Sequence, residues 1–139
     1  MEAHRSGKDS VRKAIIDTNV LMYIFTKKVD VFTQLRELGF KKFVFPRHVV
    51  EELERLQVSL DGTERRAARF ALTLIRSRDD CEVHEVDAVG SDNAILKLAK
   101  SLDAAVITND KALRRRAKLE GIVVGYLREL KYVELDEDY

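Results

Sequence analysis

Short apolar runs alternate along this chain with longer stretches in which apolar residues recur every three or four positions. Four runs are continuously apolar, at 14–16, 43–45, 104–107 and 122–124, whereas 81–86 alternates apolar and polar residues. Continuous runs of this length are typical of strands buried on both faces, and alternation is typical of a half-exposed strand at a sheet edge. The pattern therefore predicts five short strands.

Helical periodicity fills the stretches between these strands. Helices are predicted directly after the first strand, over 30–38, and in stretches that open near His48, Gly62, Gly90 and Asp110. Strands that alternate with helices indicate an α/β fold, in which a parallel sheet is connected by right-handed helical crossovers.

The length of 139 residues fits a single domain that buries roughly 70% of the surface of its unfolded chain. We expect that domain at 13–130. The first residues are polar and lack the apolar region of a signal peptide, so 1–12 is predicted to be a disordered leader. The acidic segment 131–139 is predicted to be a solvated tail.

No apolar stretch approaches the roughly 20 residues that a membrane span needs. The single Cys81 cannot form an intramolecular disulfide, which suits a reducing compartment. We therefore expect a cytoplasmic protein that has no membrane partner.

The charges nearly cancel. There are 25 Lys and Arg residues against 24 Asp and Glu residues, which leaves a net charge of +1, and the pI is 7.8. A domain that binds nucleic acid through its overall charge typically has a pI above about 9. Any polyanion must therefore be bound by local basic clusters or through a metal ion.

Two carboxylates follow buried strands. Asp17 comes directly after 14–16, and Asp110 follows 104–107 after Thr108 and Asn109. In open α/β sheets, ligands bind outside the carboxyl ends of the strands. Both acids are therefore predicted to stand at the edge where a site would form.

Two further acids border the apolar stripes of predicted helices. One stripe consists of Val49, Leu53, Leu56 and Leu60. At about 100° per residue, Glu51 and Glu54 point to solvent and Glu52 lies on the border of this stripe. By the same geometry Asp92 and Asp110 lie on the core-facing sides of their helices.

Each acid also has a purely structural interpretation. Asp17, Asp92 and Asp110 could cap helices or favour the helix dipole, and Glu52 could be a partly covered surface residue. Four acids in one cleft would instead need a cation, because unpaired buried charge is very costly. With no His or Cys cluster nearby, oxygen ligands favour Mg²⁺ or Mn²⁺ over zinc.

Such an ion could lower the pKa of a water molecule, orient it, and neutralise charge on a phosphoryl group. Asp17 would be the strongest candidate for a direct ligand. Asn19 carries a neutral amide and could position the water or the phosphate without adding charge. Thr108 and Asn109 could steady Asp110.

The four acids stand in motifs that together resemble a PIN-domain ribonuclease. The motifs are 15–21 around Asp17, 49–53 around Glu52, 92–96, and 106–110. None is specific alone, but their order and spacing match the family from about 13 to 128. Asn93 departs from the pattern, because many members carry a second aspartate there. The stretch 121–128 is similar to a mainly archaeal group, which is related to PIN nucleases of small-subunit ribosomal RNA processing and includes members labelled as VapC-type toxins.

The resemblance implies a three-layer α/β/α sandwich with a five-stranded parallel sheet in the order 3-2-1-4-5. It also implies a metal-dependent endonuclease that acts on single-stranded or structured RNA. Asp17, Glu52, Asp92 and Asp110 would hold the metal, and Asn19 would assist. A homodimer through the early helices, and an antitoxin or a pre-ribosomal partner, would fit such a protein.

Two basic clusters could hold RNA phosphates. One consists of Lys111, Arg114, Arg115, Arg116 and Lys118, and the other of Arg65, Arg66, Arg69 and Arg76. Both are typical of solvated helix faces. We expect Arg65 or Arg69, near the mouth of the cleft, to be the better candidate for contacting RNA.

Two other classes stay open at this stage. The same fold could serve as an RNA-binding or assembly module of a ribonucleoprotein complex, and weak metal binding would favour that interpretation. A phosphoryl-transfer domain with an aspartyl intermediate is less consistent with the sequence. A haloacid dehalogenase-like phosphatase needs a second acid two residues after Asp17, where this chain has Asn19.

Overall fold

A six-stranded sheet with helices packed on it forms the protein, whose computed structural model describes residues 11–136. The strands are β1 (Arg12–Ile16), β2 (Phe40–Pro46), β3 (Cys81–His84), β4 (Ala105–Ile107), β5 (Val124–Arg128) and β6 (Tyr132–Asp136). The helices are α1 (Thr18–Thr26), α2 (Val31–Glu37), α3 (Arg47–Ser59), α4 (Gly62–Ser77), α5 (Ser91–Leu102) and α6 (Lys111–Leu119). This α/β architecture agrees with the prediction.

The strands stand in the order β3-β2-β1-β4-β5-β6. β1 pairs in parallel with β2 and β4, β3 pairs in parallel with β2, and β5 pairs in parallel with β4. The predicted order 3-2-1-4-5 is confirmed. The chain builds one half of the sheet on one side of β1 and then crosses to the other side. The topological switch point therefore lies between β1 and β4, where α/β sheets bind ligands.

β1 and β4 end side by side. Ile16 pairs with Ile107, and the amide of Asp17 donates a hydrogen bond to the carbonyl oxygen of Ile107 across 2.9 Å. Residues 14–16 and Ile107 are fully buried, as the continuous apolar runs predicted. The polar residues that follow, Asp17 and Thr108, are consequently brought together at the edge of the sheet.

The prediction of five strands was one short, and the sixth lies in the segment 131–139 that was expected to be a solvated acidic tail. β6 pairs antiparallel with β5, and Arg128 lies opposite Tyr132. Between these strands Glu129 and Leu130 both have a φ of 55°, a conformation that Asn-Gly pairs usually supply in hairpins. Glu-Leu carries no such signal, so the apolar pattern did not reveal the turn.

β6 is also attached to α2. The side-chain nitrogen of Gln34 donates to the carbonyl oxygen of Lys131 across 3.0 Å, and its side-chain oxygen accepts from the amide of Val133 across 2.7 Å. One amide side chain thus pairs with the backbone of β6 and the residue before it.

β5 begins later than the apolar run 122–124 predicted. The chain leaves α6 through Gly121, which has a φ of 77°, and the amide of Ile122 still donates to the carbonyl oxygen of Ala117 across 3.0 Å. Ile122 therefore completes the helix end, and regular pairing starts only at Val124.

The predicted leader at 1–12 lies almost wholly outside the described residues, and β1 already begins at Arg12. β3 forms one edge of the sheet, as its alternating sequence predicted. Within 11–136, no helix combines the length and the apolar character that crossing a membrane would require.

Candidate functional site

A cavity of about 380 Å³ opens at the carboxyl ends of β1 and β4. It has an acidic part next to the sheet and a more apolar part between α1 and α3. Its lining residues are Asp17, Thr18, Asn19, Met22, Tyr23, Thr26, Glu52, Leu56, Leu60, Glu64, Ser91, Asp92 and Asp110. The structure thus brings all four predicted acids and Asn19 to one cavity.

Asp17 is held by two hydrogen bonds at the end of β1. Its Oδ1 atom accepts from the amide of Thr18 across 2.8 Å and caps α1, and its Oδ2 atom accepts from the hydroxyl of Thr108 across 2.6 Å. The residue is only 8% exposed. Burial raises the pKa of Asp17 above its ordinary value, the two hydrogen bonds lower it, and the charges of Asp92 and Glu52 raise it further.

Asp110 caps α6 and lines the cavity at the same time. Its Oδ1 atom accepts from the amides of Ala112 and Leu113 across 2.9 and 3.2 Å. Its own amide donates to the hydroxyl oxygen of Thr108 across 3.0 Å. Because Oδ1 serves the helix, Oδ2 is the oxygen that Asp110 can offer to a ligand. The capping role and a role in the site are therefore compatible.

Glu52 enters the cavity from α3. It is half-buried, while Glu51 and Glu54 are exposed, as the helical geometry predicted. Its Oε1 atom accepts from the hydroxyl of Thr18 across 2.9 Å and from the hydroxyl of Ser91 across 3.4 Å. These hydroxyl groups fix the carboxylate against α1 and α5.

Asp92 lies in the first turn of α5. Burial raises the pKa of Asp92 above its ordinary value, and the charges of Asp110 and Glu52 act in the same direction. The guanidinium group of Arg116 lowers it. The acids of the cavity therefore influence one another electrostatically, although they belong to different elements.

Asn19 contributes an unusual atom. Its Oδ1 is buried, and no described residue donates a hydrogen bond to it. A buried oxygen without a donor is costly unless water or an ion completes it. Asn93, by contrast, is exposed, and its side chain bonds to the carbonyl oxygen of Val89 and to Arg116.

Two predicted residues, Asn109 and Arg65, make contacts that the sequence did not predict. The side chain of Asn109 pairs with the backbone of Leu127 in both directions, across 3.1 and 2.7 Å, and so braces β5 rather than the carboxylate of Asp110. Arg65 directs its Nε atom to the carbonyl oxygen of Leu60. Arg65 and Arg69 are exposed, and Glu64 is the α4 residue that lines the cavity.

The sequence reasoning missed three residues that line the cavity. Thr18 and Ser91 support Glu52 through their hydroxyl groups, and Glu64 adds a fifth carboxylate. The signal for Thr18 and Ser91 was their position directly beside a predicted acid. Glu64 carried no such signal, because its place depends on how α4 packs against α1 and α3.

The donor set fits a hard cation that keeps some of its water. Within 11–136, no three acids stand close enough together to enclose an ion in a ready-made cage. The lining atoms are nevertheless carboxylate, hydroxyl and amide oxygens, and one of them, Asn19 Oδ1, lacks a donor. Mg²⁺ typically retains several water ligands and needs only one or two direct carboxylates.

Known proteins resemble this chain along nearly its whole length. A family model described as a PIN-like domain matches residues 14–130. The chain is 48% identical over 137 residues to a protein named ribonuclease VapC9 from Archaeoglobus fulgidus, a match that covers 97% of this chain and 98% of that protein. It is 34% identical over 128 residues to ribonuclease VapC4 from Methanocaldococcus jannaschii, covering 88% and 95%.

A solved structure shares the fold. The PIN-domain endonuclease Utp24 superposes with a TM-score of 0.72 and 23% identity, covering 91% of this chain and 92% of that one. A domain of a protein from Methanocaldococcus jannaschii superposes with a TM-score of 0.56 and 19% identity, covering 93% and 96%.

Proposed function

Because the chain belongs to the PIN-domain family, we propose that it is an endoribonuclease, a hydrolase that cuts phosphodiester bonds within RNA with the help of Mg²⁺ or Mn²⁺. The observation that carries the proposal is the convergence of Asp17, Glu52, Asp92 and Asp110 on one cavity at the switch point of the sheet. We assign the activity to a single domain at 13–130, to which β6 adds an edge strand.

In this proposal the four acids hold the metal ion. When bound, the ion supplies a Lewis acid that lowers the pKa of water and offsets charge on the phosphoryl group. Asp17 is the most buried of the four, and burial raises its pKa, so the fold disfavours its charged form. A cation would remove that penalty, so the folded acid is suited to binding one.

The neighbouring polar residues position the acids. Thr108 fixes one oxygen of Asp17, and Thr18 and Ser91 fix one oxygen of Glu52. Asn19 would orient water or a phosphate oxygen through its unpaired Oδ1 atom. Asn109 would act indirectly by keeping the end of β4 paired with β5.

For the biological role we propose a VapC-type toxin, since the two curated relatives carry that name. Processing of ribosomal RNA is the alternative. A toxin would require an antitoxin partner, whereas processing would require a pre-ribosomal one. We also propose a homodimer. In its favour, Phe70 of α4 is 39% exposed and contacts Phe25 of α1, with ring centroids 5.6 Å apart and ring planes tilted by 51°.

One observation favours the second candidate, an RNA-binding or assembly module with little catalytic activity. The described acids do not form a ready-made metal cage. If the ion is not bound at all, the carboxylates would serve only as helix caps and hydrogen-bond acceptors.

The test is cleavage of a single-stranded and a structured RNA in Mn²⁺, in Mg²⁺ and in chelator. Wild type is compared with Asp17→Asn, which keeps the shape of the side chain, and with Asp79→Asn, which removes an exposed carboxylate outside the cavity. The proposal expects metal-dependent cleavage in wild type and Asp79→Asn that is lost in Asp17→Asn. Equal activity in all three proteins would contradict the assigned site. No cleavage, together with no Mn²⁺ binding in calorimetry, would support the assembly module.

A further inference from the structure

A second groove runs between α6 and β6. Its volume is about 410 Å³, and it is lined by Lys111, Arg114, Arg115, Lys118, Leu119 and Asp136. The four basic residues fall within an arc of about 100° on α6. Leu113 and Ala117 face the other way and are fully buried. The groove therefore presents four positive charges from one helix face, with Asp136 opposite them on β6.

We propose that this basic groove binds the phosphate backbone of the RNA strand whose scissile bond lies in the cavity. The inference rests on the proposed function. Five carboxylates line the cavity, and its lining includes no basic residue. A polyanion that approaches such a site needs cationic side chains close by, because phosphate contacts supply most of the affinity for nucleic acid.

The cavity and the groove are lined by residues that are adjacent in sequence. Asp110 lines the cavity, and the next residue, Lys111, lines the groove. From Lys111 to Lys118 the helix rises by about 10 Å, so the basic face leads away from the acidic site. A strand that leaves the cavity over the start of α6 would meet Lys111 first and Lys118 last.

The guanidinium of Arg114 is already held in place for such a contact. It stacks over the ring of Tyr126, with its central carbon 4.4 Å from the ring centroid. Stacking leaves the N–H groups at the edge of the guanidinium plane, where they can donate to phosphate oxygens. The basic residues of α4 are engaged differently: Arg76 pairs with Glu54, and Arg66 bonds to the hydroxyl of Thr63.

Asp136 places a carboxylate group in the groove. Its Oδ2 atom lies 3.3 Å from Nζ of Lys118, so a carboxylate of β6 occupies a position that an RNA phosphate could take. Asp136 would consequently compete with RNA at the far end of the groove. Its removal should strengthen RNA binding, which is the opposite of what removal of a binding residue would do.

The test compares two charge-matched double variants. Lys111→Gln/Arg115→Gln removes two charges from the groove, and Lys27→Gln/Lys41→Gln removes two exposed charges elsewhere. Binding of a labelled single-stranded RNA is followed by fluorescence anisotropy in chelator over a range of KCl concentrations. For the groove variant we expect weaker binding and a slope of log affinity against log salt that is shallower by about 1.4. The other variant should keep the slope of wild type.

Asp136→Asn completes the experiment. We expect it to tighten RNA binding by roughly two- to fivefold at low salt. The proposal that the groove binds RNA would be overturned by equal slopes in both double variants, or by weaker RNA binding in Asp136→Asn. Binding is measured without metal, so a wild type that binds RNA in the expected way but never cleaves it would contradict the proposed function and leave the groove supported.

Discussion

The hydroxyl of Thr108 donates a hydrogen bond to Oδ2 of Asp17, 91 residues earlier in the chain, across 2.6 Å. The hydroxyl oxygen of Thr108 also accepts a hydrogen bond from the amide of Asp110 across 3.0 Å. Thr108 is fully buried. One hydroxyl group therefore fixes the acid at the end of β1 and the start of α6, which carries a second acid.

Replacing Thr108 by valine should destabilise the protein. Valine keeps the shape of threonine but removes the hydrogen bond that Thr108 donates to Oδ2 of Asp17 and the one that it accepts from the amide of Asp110. Leaving buried polar groups unsatisfied typically costs about 1–3 kcal/mol. We expect a decrease of that size in the free energy of unfolding, measured with urea at neutral pH, and a lower rate of metal-dependent RNA cleavage.

The matched control is Thr73→Val. The hydroxyl of Thr73 also forms a hydrogen bond, to the carbonyl oxygen of Arg69, but Thr73 is exposed on α4. Surface substitutions of this kind usually change stability by less than about 0.5 kcal/mol. Similar losses in both variants would show that the bridge from Thr108 has no special role.

Replacing Asp17 by asparagine should change the pH dependence of stability. Burial raises the pKa of Asp17 above the ordinary value of 3.8. The contribution of a carboxyl group with a raised pKa is fully present below the unfolded pKa and is lost as pH rises through the folded pKa. In chelator, the stability of Asp17→Asn relative to wild type should therefore increase as the pH rises from about 3.8 through the folded pKa of Asp17.

The difference between the two proteins isolates Asp17, because the other acids are common to both. Asparagine accepts one hydrogen bond fewer, so the trend with pH is the informative quantity. Added Mn²⁺ should stabilise wild type and reduce the advantage of the variant. A stability difference that is constant with pH would mean that Asp17 is not disfavoured in its charged form.

The parts of the fold and site that were predicted from sequence are those that periodicity determines. Continuous apolar runs identified the buried strands, and the alternation of strands with helices indicated the parallel sheet. The resemblance supplied the strand order. The 100° step along α3 separated Glu52 from Glu51 and Glu54, and the structure places Glu52 in the cavity.

What was missed depends on contacts that no periodic pattern encodes. The turn into β6 uses Glu129 and Leu130 at positive φ, although neither residue type signals it. Asn109 pairs with the backbone of Leu127 in β5, a contact between residues 18 positions apart that no local pattern indicates. Glu64 reaches the cavity only through the packing of α4.

A salt bridge outside the site should make the protein sensitive to acid. Arg78 donates to both carboxylate oxygens of Asp80, across 2.9 and 3.0 Å, and Arg36 adds a third contact across 2.8 Å. The hydrogen bond from Arg78 lowers the pKa of Asp80 below its ordinary value. A carboxyl group with a lowered pKa stabilises the fold above its unfolded pKa, and that contribution is lost as pH falls through the folded pKa.

Replacing Asp80 by asparagine should therefore lower the free energy of unfolding by about 1–2 kcal/mol at neutral pH. The loss should shrink below about pH 4, where wild type also loses the charge. Urea unfolding at several pH values measures both effects. Asp79→Asn is the control, because its exposed carboxylate is adjacent in sequence. A loss that is equal for the two variants, or independent of pH, would show that the pair with Arg78 contributes little.

Replacing Asn19 should distinguish a role in metal binding from a role in stability. Its Oδ1 atom is buried without a donor among the described residues, so Asn19→Ala removes an unsatisfied group and adds a better helix former near the start of α1. We expect the free energy of unfolding in chelator to stay constant or to rise by up to about 1 kcal/mol. Affinity for Mn²⁺, measured by calorimetry, should fall by roughly 10- to 100-fold, as when a residue that supports a metal ligand is lost.

Asn93→Ala is the comparison for stability, since it removes an amide that is already paired. Unchanged Mn²⁺ affinity in Asn19→Ala would remove Asn19 from the site.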